Sequence, residues 1–267
     1  MIDPISILLH KGAGKQGPVM LMYHSICQGI PDWPWAVSLH QFRTHLDFLA
    51  SEGWATITMG QLVAHPNQQT ERTVIITFDD GYVDNLLAFD ELQRRGMSAS
   101  WFVVTGALGQ TPDWNDNDLP KGRLLNPSEL RAMQAAGMEI GSHTRSHLRL
   151  TEVDDTRLTS ELQTSKTELE EILGSEASSF AYPYGAWDQR CEQAVQRAGY
   201  KCACTTQTGW ALRDNNPYSL RRLTVFNTDT ASNLARMLAL GMNHASWPEV
   251  GRYWFSRLQR RTSRGGV

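Results

Sequence analysis

Absences narrow this chain before any motif does. It has four cysteines, Cys27, Cys191, Cys202 and Cys204, and none of them form a C-x-x-C pair. Cys202 and Cys204 alternate within an apolar, strand-like run, so they read as reduced core thiols, and a disulfide framework is not expected. Neither sign of charge dominates: the formal net charge is -3 with 20% charged residues, which leaves no basic field for nucleic acid. No apolar run approaches the roughly 18 residues of a membrane span. The patch at Ile5, Ile7, Leu8 and Leu9 is too short for a signal-peptide core and has no small-residue cleavage site. The expected location is therefore cytoplasmic. Internal repeats and low-complexity linkers are also missing, so one domain is expected over residues 1–267, with a core at about 18–226 and a helical extension at 227–267.

What remains is an ordinary globular composition, 41% hydrophobic over 267 residues, arranged as alternating strands and helices. Residues 18–24 read as a strand ending at His24. A flexible lead over residues 12–17 is expected before it. Ser38 and Gln41 make a capping box for a helix that carries Phe42, Leu46 and Leu49 to Gly53. Further strands are expected at 54–58, 74–78, 99–104, 138–141, 179–182, 200–205 and 220–225. Helices are expected at 59–64, 85–95, 127–136, within 151–173, and at 188–198. About eight strands alternating with helices predict an α/β fold, a parallel (β/α) barrel. In such barrels active sites form at the carboxyl ends of the strands. His24, Asp79, Asp80, His143 and Tyr184 each follow directly on a strand-like run. The polar loop at 106–125, with Trp114 and several aspartates, is long enough for a surface lid.

Residues 74–82, V-I-I-T-F-D-D-G-Y, place two aspartates at a strand terminus. Alone, D-D-G is an acidic turn. The segment Ser142-His-Thr-Arg-Ser-His147 changes its meaning, because two imidazoles four residues apart can reach one ion on a single turn. One carboxylate completes a two-His-one-Asp set that leaves positions open for water and substrate. Asp80 is assigned as that ligand and Asp79 as a general base. His24 is the candidate acid, since an imidazolium donates near neutral pH.

Together, Thr77-Phe-Asp-Asp-Gly81, Ser142-His-x-x-Ser-His147 and Tyr182-Pro-Tyr-Gly185 resemble the motifs of the polysaccharide deacetylases, carbohydrate esterase family four. The resemblance spans roughly residues 19–225. It implies a distorted (β/α) barrel of about seven to eight strands, the NodB-like fold. It further implies Asp79 as base, Asp80, His143 and His147 as ligands of a divalent metal, and the Tyr184 backbone amide as a donor to the oxyanion. Zinc is the first expectation for the metal, with cobalt, nickel or iron as alternatives. Two departures point to a subgroup. Ala181 stands where most members carry an arginine that orients the base, and the one late histidine, His244, lacks the usual leucine-rich context. Poly-N-acetylglucosamine deacetylases share both features in a circularly permuted barrel whose Y-H motif comes first, and Leu21-Met-Tyr-His24 resembles that opening. The acid role is therefore carried to His24. Arg222, in Leu220-Arg-Arg-Leu-Thr-Val225, is the candidate for the missing guanidinium, against the alternative of a strand-end arginine paired with surface carboxylates such as Asp214.

Trp187 and Trp114 are candidates for stacking on sugar rings or for simple packing. The C-terminal stripe of Trp247, Val250, Trp254 and Leu258, ringed by Arg252, Arg257, Arg260, Arg261 and Arg264, reads either as a packed terminal helix or as a peripheral membrane contact. The expected partners are an N-acetylated glycan or a lipid-linked amino sugar, and no nucleic acid. The expected reaction is removal of an N-acetyl group from an amino sugar in a glycan or its precursor. The alternatives are hydrolysis of a non-sugar amide or cyclic amide, and a carbohydrate-binding protein with a decayed site.

Overall fold

The computed structural model describes residues 2–67, 71–114, 120 and 122–262, with side chains given as far as residue 255. In chain order the first half comprises α1 (Pro4–His10), β1 (Val19–Tyr23), β2 (Ser25–Cys27), β3 (Ala36–Ser38), α2 (Leu39–Ser51), β4 (Ala55–Thr56), α3 (Met59–Ala64), β5 (Thr73–Phe78), α4 (Asn85–Arg94) and β6 (Ser100–Val103). The second half comprises α5 (Pro127–Ala135), β7 (Glu139–Ser142), α6 (Asp155–Leu173), β8 (Ser179–Ala181), α7 (Gln189–Arg197), β9 (Cys202–Cys204), β10 (Leu223–Thr224), α8 (Ala231–Leu240) and α9 (Trp247–Thr262).

Seven strands run in the order β10-β1-β5-β6-β7-β8-β9, and β4 adds to the amino-terminal half of β5. Every pairing is parallel, as helical crossovers between successive strands require. The expected distorted (β/α) barrel is present, but its seam is not a full ladder. β10 has two residues, and the chain leading into it meets β9 at one bridge, Cys204 to Leu220. Around that bridge the Thr205 N–H donates to the Leu220 carbonyl at 2.9 Å and the Leu220 N–H to the Ala203 carbonyl at 3.0 Å. The first strand, β1, thus lies between the last strand and β5, which brings His24 to the same rim as Asp79.

The alternation of strand side chains divides the core in two. Val74, Ile76 and Phe78 of β5 join Leu21, Trp101 and the apolar stripes of α2, α4 and α8. Phe78 stacks on Trp101 with centroids 4.6 Å apart and planes 8° from parallel. Ile75 faces the other way, into a cluster with Met20, Phe102, Cys202 and Cys204 that Met59 and Leu62 of α3 also join. All three of these strand and helix thiols, Cys191 included, are buried and free.

Two regions carry elements that were not expected, and the expected C-terminal helix shows how its first turns pack. Ahead of the expected lead at 12–17, the amino terminus forms a helix for which no element was expected: Asp3 caps α1 by accepting from the Ser6 N–H at 2.9 Å, and Arg236 of α8 binds both Asp3 and Ser6. His10 ends that helix fully buried, accepting from the Trp54 indole N–H at 2.9 Å. Its apolar residues were legible, but the partner helix lies over two hundred residues away in sequence. A small parallel sheet of β2 and β3 also forms, too short to show alternation. In α9, Val250 is buried, Trp247 lies against Arg236 with the guanidinium 4.7 Å from its ring, and Trp254 and Phe255 are exposed. Leu258 and the basic residues 257, 260, 261 and 264 of the expected stripe lie outside the described side chains or residues, as do 115–119 and 121 of the expected lid. No described helix is long and apolar enough to cross a membrane.

One buried histidine couples the fold to pH. His45 of α2 has its Nε2 2.6 Å from the Asp229 carbonyl, so that nitrogen donates, and its Nδ1 accepts from the Tyr23 hydroxyl at 3.0 Å. Burial pushes its pKa down to about 4. Between that value and the roughly 6.5 of an unfolded histidine, the unfolded chain binds a proton that the folded chain refuses. Stability therefore falls as pH drops through this window, His45 contributing a loss of roughly 3 kcal/mol. Urea denaturation at pH 7.5 and 4.5 should show a smaller acid loss in His45→Gln than in the wild type; equal losses would mean that His45 charges within the fold.

Candidate active site

The residues singled out at strand ends converge on one mouth of the barrel. They line a cavity of about 540 Å³ with Trp33, Trp35, Arg149 and Phe226. Strand alternation explains the first aspartate: Ile75, Thr77 and Asp79 share a face, so Asp79 continues the inward series. By the same rule Asp80 would point away. Its backbone instead takes φ +70°, in the left-handed region rarely used by non-glycine residues, and this turns the carboxylate back to the mouth. Gly81 follows at φ +82°, where a Cβ would lie 2.9 Å from the Val103 side chain. Thr144, His147 and Tyr184 also have positive φ, so four strained non-glycine residues surround one site.

Arg222 lies inside the barrel with no exposed surface. Its Nη1 and Nη2 donate to the two Asp79 oxygens at 2.6 and 2.7 Å, its Nε donates to the Thr205 carbonyl at 3.0 Å, and Nη1 also reaches Thr77 Oγ1 at 3.2 Å. Arg221, the adjacent arginine, is the one that pairs with Asp214. Burial by itself would raise the pKa of Asp79, but the Arg222 guanidinium outweighs it and holds the carboxyl below its ordinary value. Asp79 therefore stands ionised and fixed by a bidentate fork.

Asp80 Oδ1 lies 3.4 Å from His143 Nε2 and 3.2 Å from His147 Nε2, and among the described residues these three form a buried set of metal-ligand atoms. The set fits a divalent cation. Metal–nitrogen bonds of about 2.0–2.1 Å in tetrahedral zinc sites put ligand atoms roughly 3.3 Å apart. His143 Nδ1 is 2.8 Å from the Ala181 carbonyl and so donates to it, leaving Nε2 with its lone pair toward Asp80. His147 Nδ1 is 3.1 Å from the Tyr184 hydroxyl. Burial would raise the pKa of Asp80, yet the His143 and His147 imidazoles beside it hold it well below its usual range. At His143 burial favours the neutral ring, and the Asp80 and Asp79 carboxylates overcome that and raise its pKa. The cluster attracts positive charge, which a bound metal ion would supply, and its three ligand atoms offer the lone pairs to hold one.

The loop between the histidines is held from below by Glu161 of α6. This carboxylate, 1% exposed, accepts from the Arg145 and Ser146 N–H groups at 3.0 and 2.8 Å and pairs with Arg157 at 2.7 Å. Helical spacing carried the signal: Leu158, Glu161, Leu162, Ser165 and Leu169 all fall on the buried stripe, and a carboxylate on that stripe needs a polar partner.

His24 lines the same cavity, edge-on to Trp33 at 5.8 Å and 6.3 Å from Trp35. Burial lowers its pKa, against the opposing pull of Asp80 and Asp79. Its Nδ1 is buried and has no hydrogen-bond partner among the described residues. The backbone beside it is secured by Asn85, which donates to the His24 carbonyl at 2.7 Å, and by Asp84, which accepts from Ser25 and the Ile26 N–H. Tyr184 is half-exposed at the mouth, its ring 4.6 Å from that of His147. Of the two tryptophans considered for sugar stacking, Trp187 packs beside Tyr182 at 6.1 Å and does not line the cavity, and Trp114 lies on His147 at 4.5 Å. The cavity's tryptophans are Trp33 and Trp35, 5.3 Å apart, with Phe226 next to Trp35. They sit on the Trp-Pro-Trp segment between β2 and β3, which shows no periodicity to mark it.

Comparison with known proteins gives the chain a family and relatives of the same fold. The Polysaccharide deacetylase family profile matches residues 66–203, the part of the chain that carries Asp79, Asp80, His143, His147 and Tyr184; His24 and Arg222 lie on either side of it. YxkH of Bacillus subtilis, provisionally named a polysaccharide deacetylase, is 30% identical over 210 residues, covering 77% of this chain and 70% of that protein. A poly-beta-1,6-N-acetyl-D-glucosamine N-deacetylase of Staphylococcus aureus is 22% identical over 205 residues, covering 72% of this chain and 68% of that protein. The solved structure of the Streptococcus pyogenes deacetylase PplD, in complex with acetate, shares the fold with a TM-score of 0.73 at 24% identity, over 82% of this chain and 97% of that one. With a match across just over half its length and a 30% identical relative, this chain belongs to the polysaccharide deacetylase family.

Proposed function

We propose that the chain is a divalent-metal-dependent N-deacetylase acting on an amino sugar within a glycan or a glycan precursor, with zinc as the first candidate ion. The observation that carries this reading is Asp79, locked by Arg222 beside the Asp80, His143 and His147 set. A binding protein gains nothing from an ionised, immobilised carboxylate next to three metal-ligand atoms. The curated Staphylococcus aureus relative, named for deacetylating poly-N-acetylglucosamine, supports the substrate class.

A divalent ion held by Asp80, His143 and His147 supplies Lewis acidity toward the amide carbonyl and makes water a stronger acid. Asp79 takes the proton from the attacking water, which adds its oxygen to the carbonyl carbon. Its pKa, lowered on balance by Arg222, keeps it available as a base from mildly acidic pH upward, and the bidentate fork fixes its orientation. The Tyr184 amide is assigned as a donor to the oxyanion that forms. When the C–N bond breaks, His24 passes its proton to the departing nitrogen, leaving the free amine and acetate. The depressed pKa of His24 makes its protonated form a stronger donor. Trp33, Trp35 and Phe226, alongside His24, supply flat apolar surface for the sugar on the leaving-group side.

Release of acetate from N-acetylglucosamine oligomers, followed with metal-free protein and after adding one equivalent of zinc, tests the whole reading; activity that a chelator leaves unchanged would reject it. Asp79→Asn should lose turnover by about 10³-fold while keeping its metal content. His24→Ala should lose about 10²-fold or more, again with metal retained, and wild-type turnover in that variant would remove it from the mechanism. Glu161→Gln should weaken zinc affinity by roughly 10- to 100-fold in competition with a chromogenic chelator. Unchanged affinity would limit Glu161 to a folding role.

A further inference from the structure

We propose that Arg149 forms an anion subsite at the cavity mouth, so that the preferred substrate carries a carboxylate or phosphate next to its N-acetylated sugar. This rests on the deacetylase reading above and narrows its substrate class.

Two arginines serve the site, Arg149 in the cavity lining and Arg222 beneath it, and their situations are opposite. Arg222 is sealed in the interior and spent on Asp79. Arg149 lies at the mouth with a side chain 48% exposed. Among the described residues its ion-pair partner is Glu152, 4.0 Å away and itself 70% exposed, a pair that contributes little in water. Its neighbours in sequence are committed elsewhere: Arg145 pairs with Glu168 at 3.0 Å and Arg157 with Glu161 at 2.7 Å. Arg149 instead stands over the Tyr184 ring, its guanidinium carbon 4.1 Å from the centroid. That contact favours a cation over an aromatic face and restrains the side chain without using its N–H donors. A restrained guanidinium loses less freedom on binding an anion than a loose one, and its fork matches carboxylate and phosphate oxygens.

Position supports the same reading. Tyr184 holds both neighbours, with its ring 4.6 Å from His147 and its face under Arg149. Arg149 is thus one aromatic ring away from a metal ligand, while the tryptophan wall lies beside His24. A glycan whose N-acetylated unit rests on that wall reaches Arg149 with a substituent or with its next unit. The Asp79 and Asp80 carboxylates oppose any anion deeper in the cavity, so the negative group belongs at the rim.

The test compares metal-loaded wild type with Arg149→Gln on three probes: chitotetraose, which is neutral; a hyaluronan tetrasaccharide, which carries carboxylates; and UDP-N-acetylglucosamine, which carries a diphosphate. The wild type should favour one of the anionic probes, and Arg149→Gln should raise KM for that probe about tenfold or more, as expected for a charge-assisted pair, with chitotetraose changed less than twofold. Which anionic arm responds identifies carboxylate or phosphate as the source. Calorimetric binding of the same probes at low and high salt reads the subsite without turnover. If binding depends on Arg149 and salt while no probe releases acetate, the subsite stands and the deacetylase reading falls. Equal effects of Arg149→Gln on neutral and anionic probes, or none on any, would overturn the subsite.

Discussion

The ion pair between Arg222 and Asp79 is the constraint on which the rest depends. It lies inside the barrel, with both partners nearly or wholly out of solvent and the guanidinium forked onto both carboxylate oxygens. Such a pair is poor value for stability, because desolvating two charges offsets much of their attraction, whereas leaving one charge unpartnered costs about 3–5 kcal/mol. Its worth is positional. Arg222 enters at the start of β10 and Asp79 at the end of β5, strands that flank β1, so the pair ties together the three strands that carry the proposed acid and base. The incomplete seam between β9 and β10 gives the guanidinium its place, with Thr205 beyond β9 accepting its Nε.

Around that pair, backbone strain replaces bulk as the means of aiming side chains. Asp80 and His147 both occupy the left-handed region, at a cost of order 1–3 kcal/mol each. The compensation is visible nearby: His147 N–H donates to Thr144 Oγ1 at 2.9 Å, and Glu161 satisfies two of the three amides between the histidines. The ligand set is therefore shaped by the protein before any ion arrives.

Much of this was legible in the sequence, for identifiable reasons. Strand count and parallel order followed from the apolar runs and the helices between them, and the eight-stranded sheet contains those runs with trimmed ends. Asp79, Asp80, His143 and His147 were legible because each ends or follows a strand. Arg222 stood out as a charge entering an apolar strand, although only the fold shows that it, and not Arg221, turns inward. The aromatic wall was not legible: Trp33 and Trp35 lie on an irregular segment whose position depends on the small β2–β3 sheet, while Trp187, next to a motif, is drawn to Tyr182 instead. Helix α1 was hidden because its partner, α8, lies at the far end of the chain. Arg149 carries no signal in the sequence; its place over the Tyr184 ring, with the exposed Glu152 as its distant partner, shows only in the fold.

The proposed reaction is hydrolysis of an N-acetyl amide by water at the Asp80, His143 and His147 set. Mass spectrometry of acetate released from an N-acetylated glycan in ¹⁸O-labelled water, as metal is titrated into metal-free protein, measures it directly. That reaction gives singly labelled acetate, formed with an equal amount of free amine and rising until one metal is bound per chain. Unlabelled acetate, or a yield indifferent to metal, would contradict it.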